Sequence, residues 1–192
     1  SRDRGLNALA LPVPGRHLPF PPEIVDHPDL WVPFQTRRGC PMNCAYCSTA
    51  AIEGRIVRQM SPERAADGLE RFIAAGFRQF FFVDNTFNLP PRYAEALCDE
   101  ILNRALSIRW RCIIYPSHVS DRLAAKMAEA GCTDVSLGCE SGAPEILKRF
   151  NKRFDPETAA AVSARLQRCG IKQMGFLLFG GPGENRETVM QS

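Results

Sequence analysis

No apolar run in this 192-residue chain approaches the roughly 18 residues needed to cross a bilayer. Its opening, Ser-Arg-Asp-Arg-Gly, leads into no signal-peptide apolar stretch either. A soluble, cytoplasmic protein is the expectation. Histidine is scarce: His17, His27 and His118 are the only three, and no two stand at metal-ligand spacing. Adjacent basic residues never exceed pairs such as Arg37-Arg38 and Lys148-Arg149, and the net charge is only +3. There is thus no clear nucleic-acid signal, because an extended basic footprint for a phosphate backbone is missing. A disulfide framework is also disfavoured, since the chain is long and 45% hydrophobic, enough to build its own core.

Cysteine, by contrast, is present eight times, and three of the eight fall within eight consecutive positions, Cys40, Cys44 and Cys47. That crowding points to metal binding rather than to cross-links. Cys98, Cys112, Cys132, Cys139 and Cys169 are scattered through apparent helices and strands, where free cysteine normally serves as a small buried hydrophobe.

Proline is unevenly spread, with seven of the fifteen in residues 1–33. Such density suppresses helix and central strand alike. Residues 1–33 therefore read as a Pro-rich linker or wrapping arm, with Leu18, Phe20, Leu30 and Trp31 available to pack on a domain formed by residues 34–192. From Phe34 onward strand and helix alternate. Strands are predicted over 34–36, 79–83, 109–115, 133–137 and 172–179, and helices over 62–75, 91–106, 121–130, 144–150 and 156–169. Phe80, Phe81, Phe82 and Val83 suggest a strand buried on both faces. Gly76, Gly131 and Gly170 stop three of the helices.

This alternation implies a parallel sheet with outer helices, shared by doubly wound sheets and barrels. A barrel is favoured because the unusual polar residues all follow strands: Arg38-Gly39-Cys40, Asp84-Asn85-Thr86, Glu140-Ser141 and the segment from Gly180 to Glu184. In a barrel they would converge on the catalytic end. The expected fold class is α/β, a partial TIM-like (βα)6 barrel truncated after about five βα units, with its C-terminal end incomplete.

The loop after the first strand reads Arg38-Gly39-Cys40-Pro41-Met42-Asn43-Cys44-Ala45-Tyr46-Cys47-Ser48, a C-x3-C-x2-C spacing. Three thiolates so close reach adjacent corners of one iron-sulfur cube only if the chain turns tightly, which Gly39, Pro41 and Asn43 permit. One corner then stays open. A closed zinc site would want a fourth ligand, and no Cys or His lies between Cys47 and Cys98. A zinc loop or a set of reduced thiols remains the competing reading.

The stretch Gly39-Cys40-Pro41-Met42-Asn43-Cys44-Ala45-Tyr46-Cys47 resembles the cluster motif of the radical S-adenosylmethionine superfamily. The resemblance implies that Cys40, Cys44 and Cys47 ligate a 4Fe-4S cluster whose open iron binds S-adenosylmethionine, with Tyr46 near the adenine. Electron transfer from the reduced cluster would cleave the sulfonium and yield a deoxyadenosyl radical able to abstract hydrogen from carbon. A reductant such as flavodoxin or ferredoxin is implied as partner.

Three further segments carry the resemblance. Val83-Asp84-Asn85-Thr86-Phe87 stands where many members place Gly-Gly-Glu; it departs from that pattern, and Asp84 and Asn85 would supply acceptors for the cofactor's amino group. A strand-ending turn is the competing reading. Ser136-Leu137-Gly138-Cys139-Glu140-Ser141-Gly142 is similar to the segment near the ribose and methionine moieties, which implies roles for Glu140 and Ser141, against a simple helix cap at Ser141. Gly175-Phe176-Leu177-Leu178-Phe179-Gly180-Gly181-Pro182-Gly183-Glu184 resembles the segment over which the adenine lies, bringing in Leu178 and Gly180. Lys148-Arg149 and Lys152-Arg153 resemble a basic stretch of the family, with a solvated face as the default reading.

The Asp84 to Phe87 variant and the Pro-rich lead-in resemble members whose cobalamin-binding domain precedes the core, so cobalamin, bound by a domain outside this chain, is an expected third cofactor. The implied activity is methyl transfer or ring chemistry on a small-molecule substrate. Two alternatives stay open: a methylthiotransferase core acting on tRNA or protein, and a non-catalytic iron-sulfur electron-transfer module.

Overall fold

The computed structural model describes Val25, His27 and residues 29–192. The expected arm thus lies largely outside the described residues, Leu18 and Phe20 included. Among the described residues the strands are β1 (Val32–Phe34), β2 (Arg37–Arg38), β3 (Arg58–Gln59), β4 (Gln79–Phe82), β5 (Arg109–Ile114), β6 (Cys132–Glu140) and β7 (Lys172–Leu177). The helices are α1 (Thr49–Ile52), α2 (Pro62–Ala74), α3 (Pro91–Asn103), α4 (Asp121–Glu129), α5 (Pro144–Arg149), α6 (Pro156–Arg168) and α7 (Arg186–Met190).

Strands β1, β4, β5, β6 and β7 form one wholly parallel sheet in that order. The predicted alternation is therefore real, and the sheet is open at β1 and β7 among the described residues. Local chemistry sets the helix boundaries. Ser61, Ser120 and Asp155 accept hydrogen bonds from the backbone N–H of Arg64, Leu123 and Thr158, and Pro62, Pro91 and Pro156 occupy first-turn positions. Gly131 closes the α4 end with φ +93°, and a Cβ there would stand 2.1 Å from the Ile108 carbonyl oxygen, so only glycine fits.

The core lies between the sheet and its helices. Phe34 meets Phe72, Phe80 and Phe82 edge-on at 5.8–6.2 Å between ring centroids. Trp110 packs on Phe82 and Phe87 and donates its indole N–H to the Ala130 carbonyl at 2.7 Å. Cys98, Cys112 and Cys132 are buried in this layer, as the small-hydrophobe reading expects.

Three expectations are corrected, and a hairpin and a short helix are added to them. The first strand is Val32–Phe34, ahead of 34–36, because Thr36 and Arg37 turn out of the sheet to bind Asp84. The phenylalanine run is buried on one face only: Phe80 and Phe82 face the helices, and Phe81 lies half-buried on the other side, under Arg111 at 4.9 Å. Helices cover one face of the sheet, so an apolar run there follows the alternation of a one-sided strand. Strand β6 extends through Glu140, with its pairing register to β7 shifting between Leu137 and Glu140. The hairpin β2–β3 and helix α1 carry no periodic signal at two and four residues and were not anticipated.

Trp31 crosses the open face, 4.6 Å from the Arg111 guanidinium, while Val25 and Leu30 pack against the core. The described end of the lead-in thus lies along the domain.

Candidate functional site

The cysteine loop leaves β2 through Gly39, whose φ of +91° and whose closeness to the Ile56 carbonyl exclude any side chain: a Cβ would lie 2.3 Å from that oxygen. The loop is then tied down at both ends. The Cys40 amide donates to the Gly54 carbonyl at 3.1 Å, and the Ala45 amide donates to the Phe150 carbonyl at 3.1 Å. Arg55 donates to the Asn43 side chain at 2.7 Å, and the Cys47 amide closes a turn onto the Cys44 carbonyl. Cys40 is buried against Met42 and Tyr115, Cys44 is half-buried on the same cluster, and Cys47 is exposed.

Burial pushes the Cys40 and Cys44 thiols above the ordinary cysteine value. Both also feel Cys47 as a neighbouring charge, and Lys152 opposes the rise. The three thiols are electrostatic neighbours, yet among the described residues no three His, Cys, Asp or Glu side chains are gathered round a point where a single metal ion would sit. Three thiols on one tight loop, with glycine allowing close backbone approach, fit the donor set of an iron-sulfur cube anchored at three corners.

Two residues outside the predicted site hold this loop to the sheet. Glu53 accepts from the Gly39 amide at 3.0 Å and from the Asn85 side-chain amide at 2.7 Å, joining the cysteine loop to the segment after β4. Burial alone would raise the Glu53 carboxyl, but these two bonds and the charges of Arg38 and Arg58 outweigh it and hold it below the usual carboxylate value. The sign follows. This contribution is complete above the unfolded carboxylate value and is lost only as pH falls through the depressed folded value. Glu53→Ala is expected to speed hydrogen exchange at the Gly39 amide by roughly tenfold at neutral pH, as loss of a charge-assisted bond requires.

The second is Arg37. It is buried, and its guanidinium donates to Asp84 and to the carbonyls of Thr86, Phe87 and Leu89, lying 4.5 Å from the Tyr93 ring centroid. Asp84 also accepts from the Thr36 hydroxyl and from the Thr36 and Arg37 amides. At 1% exposure, its carboxylate is consumed by protein donors. Asn85 next door is half-exposed and points to Glu53.

Glu140 is brought to the cysteine loop across 94 residues: the Tyr46 hydroxyl donates to its Oε1 at 2.6 Å, and the Lys152 ammonium donates to the same oxygen at 3.1 Å. Its backbone has φ +64°, a conformation rare outside glycine, at the register shift of β6. Burial, reinforced by Glu140, raises the Tyr46 hydroxyl far above its ordinary value, so it stays a donor. Ser141 faces elsewhere, accepting from the Ala143 amide and lying 3.1 Å from the Ser192 hydroxyl; the N-cap of α5 is Ala143, with no side-chain cap bond, so the helix-cap reading of Ser141 is corrected to a turn contact. Leu178 donates its amide to the Glu140 carbonyl at 2.8 Å and packs against the cluster of Ala143, Ile146 and Phe150. Gly180, with φ +81°, donates its amide to the Glu184 carboxylate.

Thus Tyr46, on the loop of Cys40, Cys44 and Cys47, and Leu178 both pack on Phe150, Glu140 bonds to each of them, and Asn85 is tied to the same loop through Glu53. Ser141 and Gly180 flank the group without a bond to the loop. Lys152 corrects the solvated-face default: Lys148, Arg149 and Arg153 are exposed, but the Lys152 side chain is 4% exposed. A cleft of about 340 Å³ lined by Asn43, Lys148, Asn151 and Phe154 borders the loop on that side.

A parallel α/β sheet with three thiols on the loop that follows β2 is the donor arrangement of an iron-sulfur protein. The chain belongs to the radical SAM superfamily, which matches residues 34–192. Members of that family bind a 4Fe-4S cluster and S-adenosylmethionine, and this donor set fits the cluster. Among curated relatives, the uncharacterized methyltransferase PH0819 of Pyrococcus horikoshii is 32% identical over 162 residues, covering 82% of this chain and 35% of that protein. The tryptophan 2-C-methyltransferase of Streptomyces laurentii is 26% identical over 168 residues, covering 80% of this chain and 28% of that protein. Among solved structures, the radical S-adenosylmethionine methyltransferase TsrM of Kitasatospora setae superposes with a TM-score of 0.78 at 26% identity, over 82% of this chain and 32% of that one. It was solved with cobalamin and a [4Fe-4S] cluster bound. The chain spans about a third of the length of these relatives.

Proposed function

We propose that this chain is the radical-generating core of a cobalamin-linked methyltransferase acting on a small-molecule substrate, drawing its electrons from a flavodoxin or ferredoxin in the cytoplasm. The observation that carries the reading is the anchored three-thiol loop, with Tyr46 and Glu140 hydrogen-bonded beside it. The likeness to methyltransferases supports the choice within the superfamily.

In this reading Cys40, Cys44 and Cys47 hold the cluster, and reductive cleavage of S-adenosylmethionine is the chemistry a reduced 4Fe-4S cluster supplies when bound. The chain's own residues bind and orient. Tyr46 and Glu140 would border the adenosyl moiety, Leu178 and Gly180 would provide backbone and apolar surface for the adenine, and Asn85 would offer a polar contact for the amino group. Ser141 shapes the turn into α5. Asp84 moves from cofactor contact to support, because its carboxylate is already engaged by Thr36 and Arg37.

Anaerobic reconstitution of the full-length protein tests this. About four irons per chain are expected, with an electron paramagnetic resonance spectrum that S-adenosylmethionine perturbs, bound cobalamin, and a methylated product. A single zinc ion, or a spectrum indifferent to S-adenosylmethionine, would rule out the radical core. Sulfur transfer to tRNA without cobalamin would favour the methylthiotransferase alternative.

A further inference from the structure

We propose that Lys152 is the counter-charge of the cysteine loop, a positioning residue that sets how readily a cluster held by Cys40, Cys44 and Cys47 accepts an electron. The inference rests on the functional reading above and assigns a role to a residue outside the ligand set. Lys152 belongs to a basic stretch, yet its ammonium is withdrawn from water and surrounded. It lies 5.3 Å from the Tyr46 ring centroid, 5.4 Å from that of Tyr115 and 5.8 Å from that of Phe154, and it pairs with Glu140 at 3.1 Å.

Two of those rings connect it to the ligands. Tyr46 stands in the loop between Cys44 and Cys47, and Tyr115 packs in one cluster with Cys40 and Met42, with Cys44 against it. Gly138 leaves the space: a Cβ there would lie 3.0 Å from Glu140 Oε1 and 3.8 Å from Lys152 Nζ. Tyr115 is itself held, its hydroxyl accepting from the Arg153 amide at 2.7 Å, so the turn carrying Lys152 is bound to the wall of the cage.

A buried ammonium is costly unless it is matched, and here a carboxylate and three ring faces match it. Both charges of the pair stand against the loop, Glu140 through the Tyr46 hydroxyl and Lys152 through the Tyr46 and Tyr115 rings. Removing the ammonium therefore leaves the loop beside an unopposed carboxylate, and removing the carboxylate leaves it beside an unopposed cation. Reduction adds one negative charge, which a fixed cation favours. The electron comes from an external one-electron donor of the flavodoxin or ferredoxin class.

The test is a redox titration of full-length, reconstituted protein without S-adenosylmethionine, followed by electron paramagnetic resonance. Lys152→Met is expected to lower the one-electron reduction constant roughly tenfold, about 59 mV. Lys152→Arg is expected to stay near wild type. Glu140→Gln, which removes the opposing charge, is expected to shift the midpoint upward. A role confined to loop folding would not produce shifts of opposite sign. An unchanged midpoint in Lys152→Met with its iron retained, or a downward shift in both variants, overturns the proposal. Should Lys152→Met fail to assemble a cluster, an unshifted or lowered midpoint in Glu140→Gln overturns it instead. Absence of the cluster from the wild-type protein would sink the functional reading itself, a separate and recognisable result.

Discussion

Replacing Cys44 with alanine is expected to abolish both cluster assembly and reductive cleavage of S-adenosylmethionine by the full-length protein, whereas Cys98→Ala leaves both largely intact. The contrast follows from where each thiol lies. Cys44 is half-buried at the loop's inner side, beside Cys40 and within the influence of Lys152 and Cys47. Two remaining thiols cannot anchor three corners of a cube. Cys98 is fully buried in α3, and burial pushes its thiol far above the ordinary value, which leaves an inert apolar side chain. Iron and sulfide content, with deoxyadenosine release, are the measurements. Equal losses from both substitutions would mean that the ligand assignment is mistaken.

The largest effect on stability is expected at the Arg37–Asp84 pair. Its side chains are 3% and 1% exposed, and their N–O separation is 3.2 Å. Removing one member of a buried pair leaves the other's charge without compensation, at a cost of about 3–5 kcal/mol. Asp84→Ala is expected to fall in that range, measured by urea unfolding of the full-length protein with circular dichroism. Arg37→Met should cost at least as much, since it also orphans the Thr86, Phe87 and Leu89 carbonyls. The two substitutions share one network, so their combined effect should be smaller than the sum. Full additivity, or a loss below about 1 kcal/mol, would show that the pair behaves like an exposed one.

The alternation of strands and helices was legible because each element carries its own signal. Ser61 with Pro62, Ser120 and Asp155 mark helix starts through bonds spanning three residues, and Gly131 marks an end through its own backbone geometry. The hairpin of β2 and β3 was not legible, because two-residue strands contain no period to detect. Glu53 gave no signal either: its partners, Gly39 and Asn85, lie 14 and 32 residues away. Asp84 was noticed for its position, but the partners that engage its carboxylate, Thr36 and Arg37, were not. An Asp after a strand looks the same in sequence whether it faces a cofactor or an arginine, and its Arg37 partner is 47 residues distant.

From sequence alone came the three-thiol loop, the parallel α/β order and the superfamily to which the chain belongs, all properties of short segments whose spacing is itself the chemistry. Which side chains surround that loop was decided only in three dimensions. Lys152 has the same basic neighbours as a solvated lysine, and it becomes a caged cation because β6 delivers Glu140, and β5 with its following turn delivers Tyr115, to the same place. Burial and pairing between residues far apart in the chain depend on how the strands stack, and no local pattern of residues encodes that.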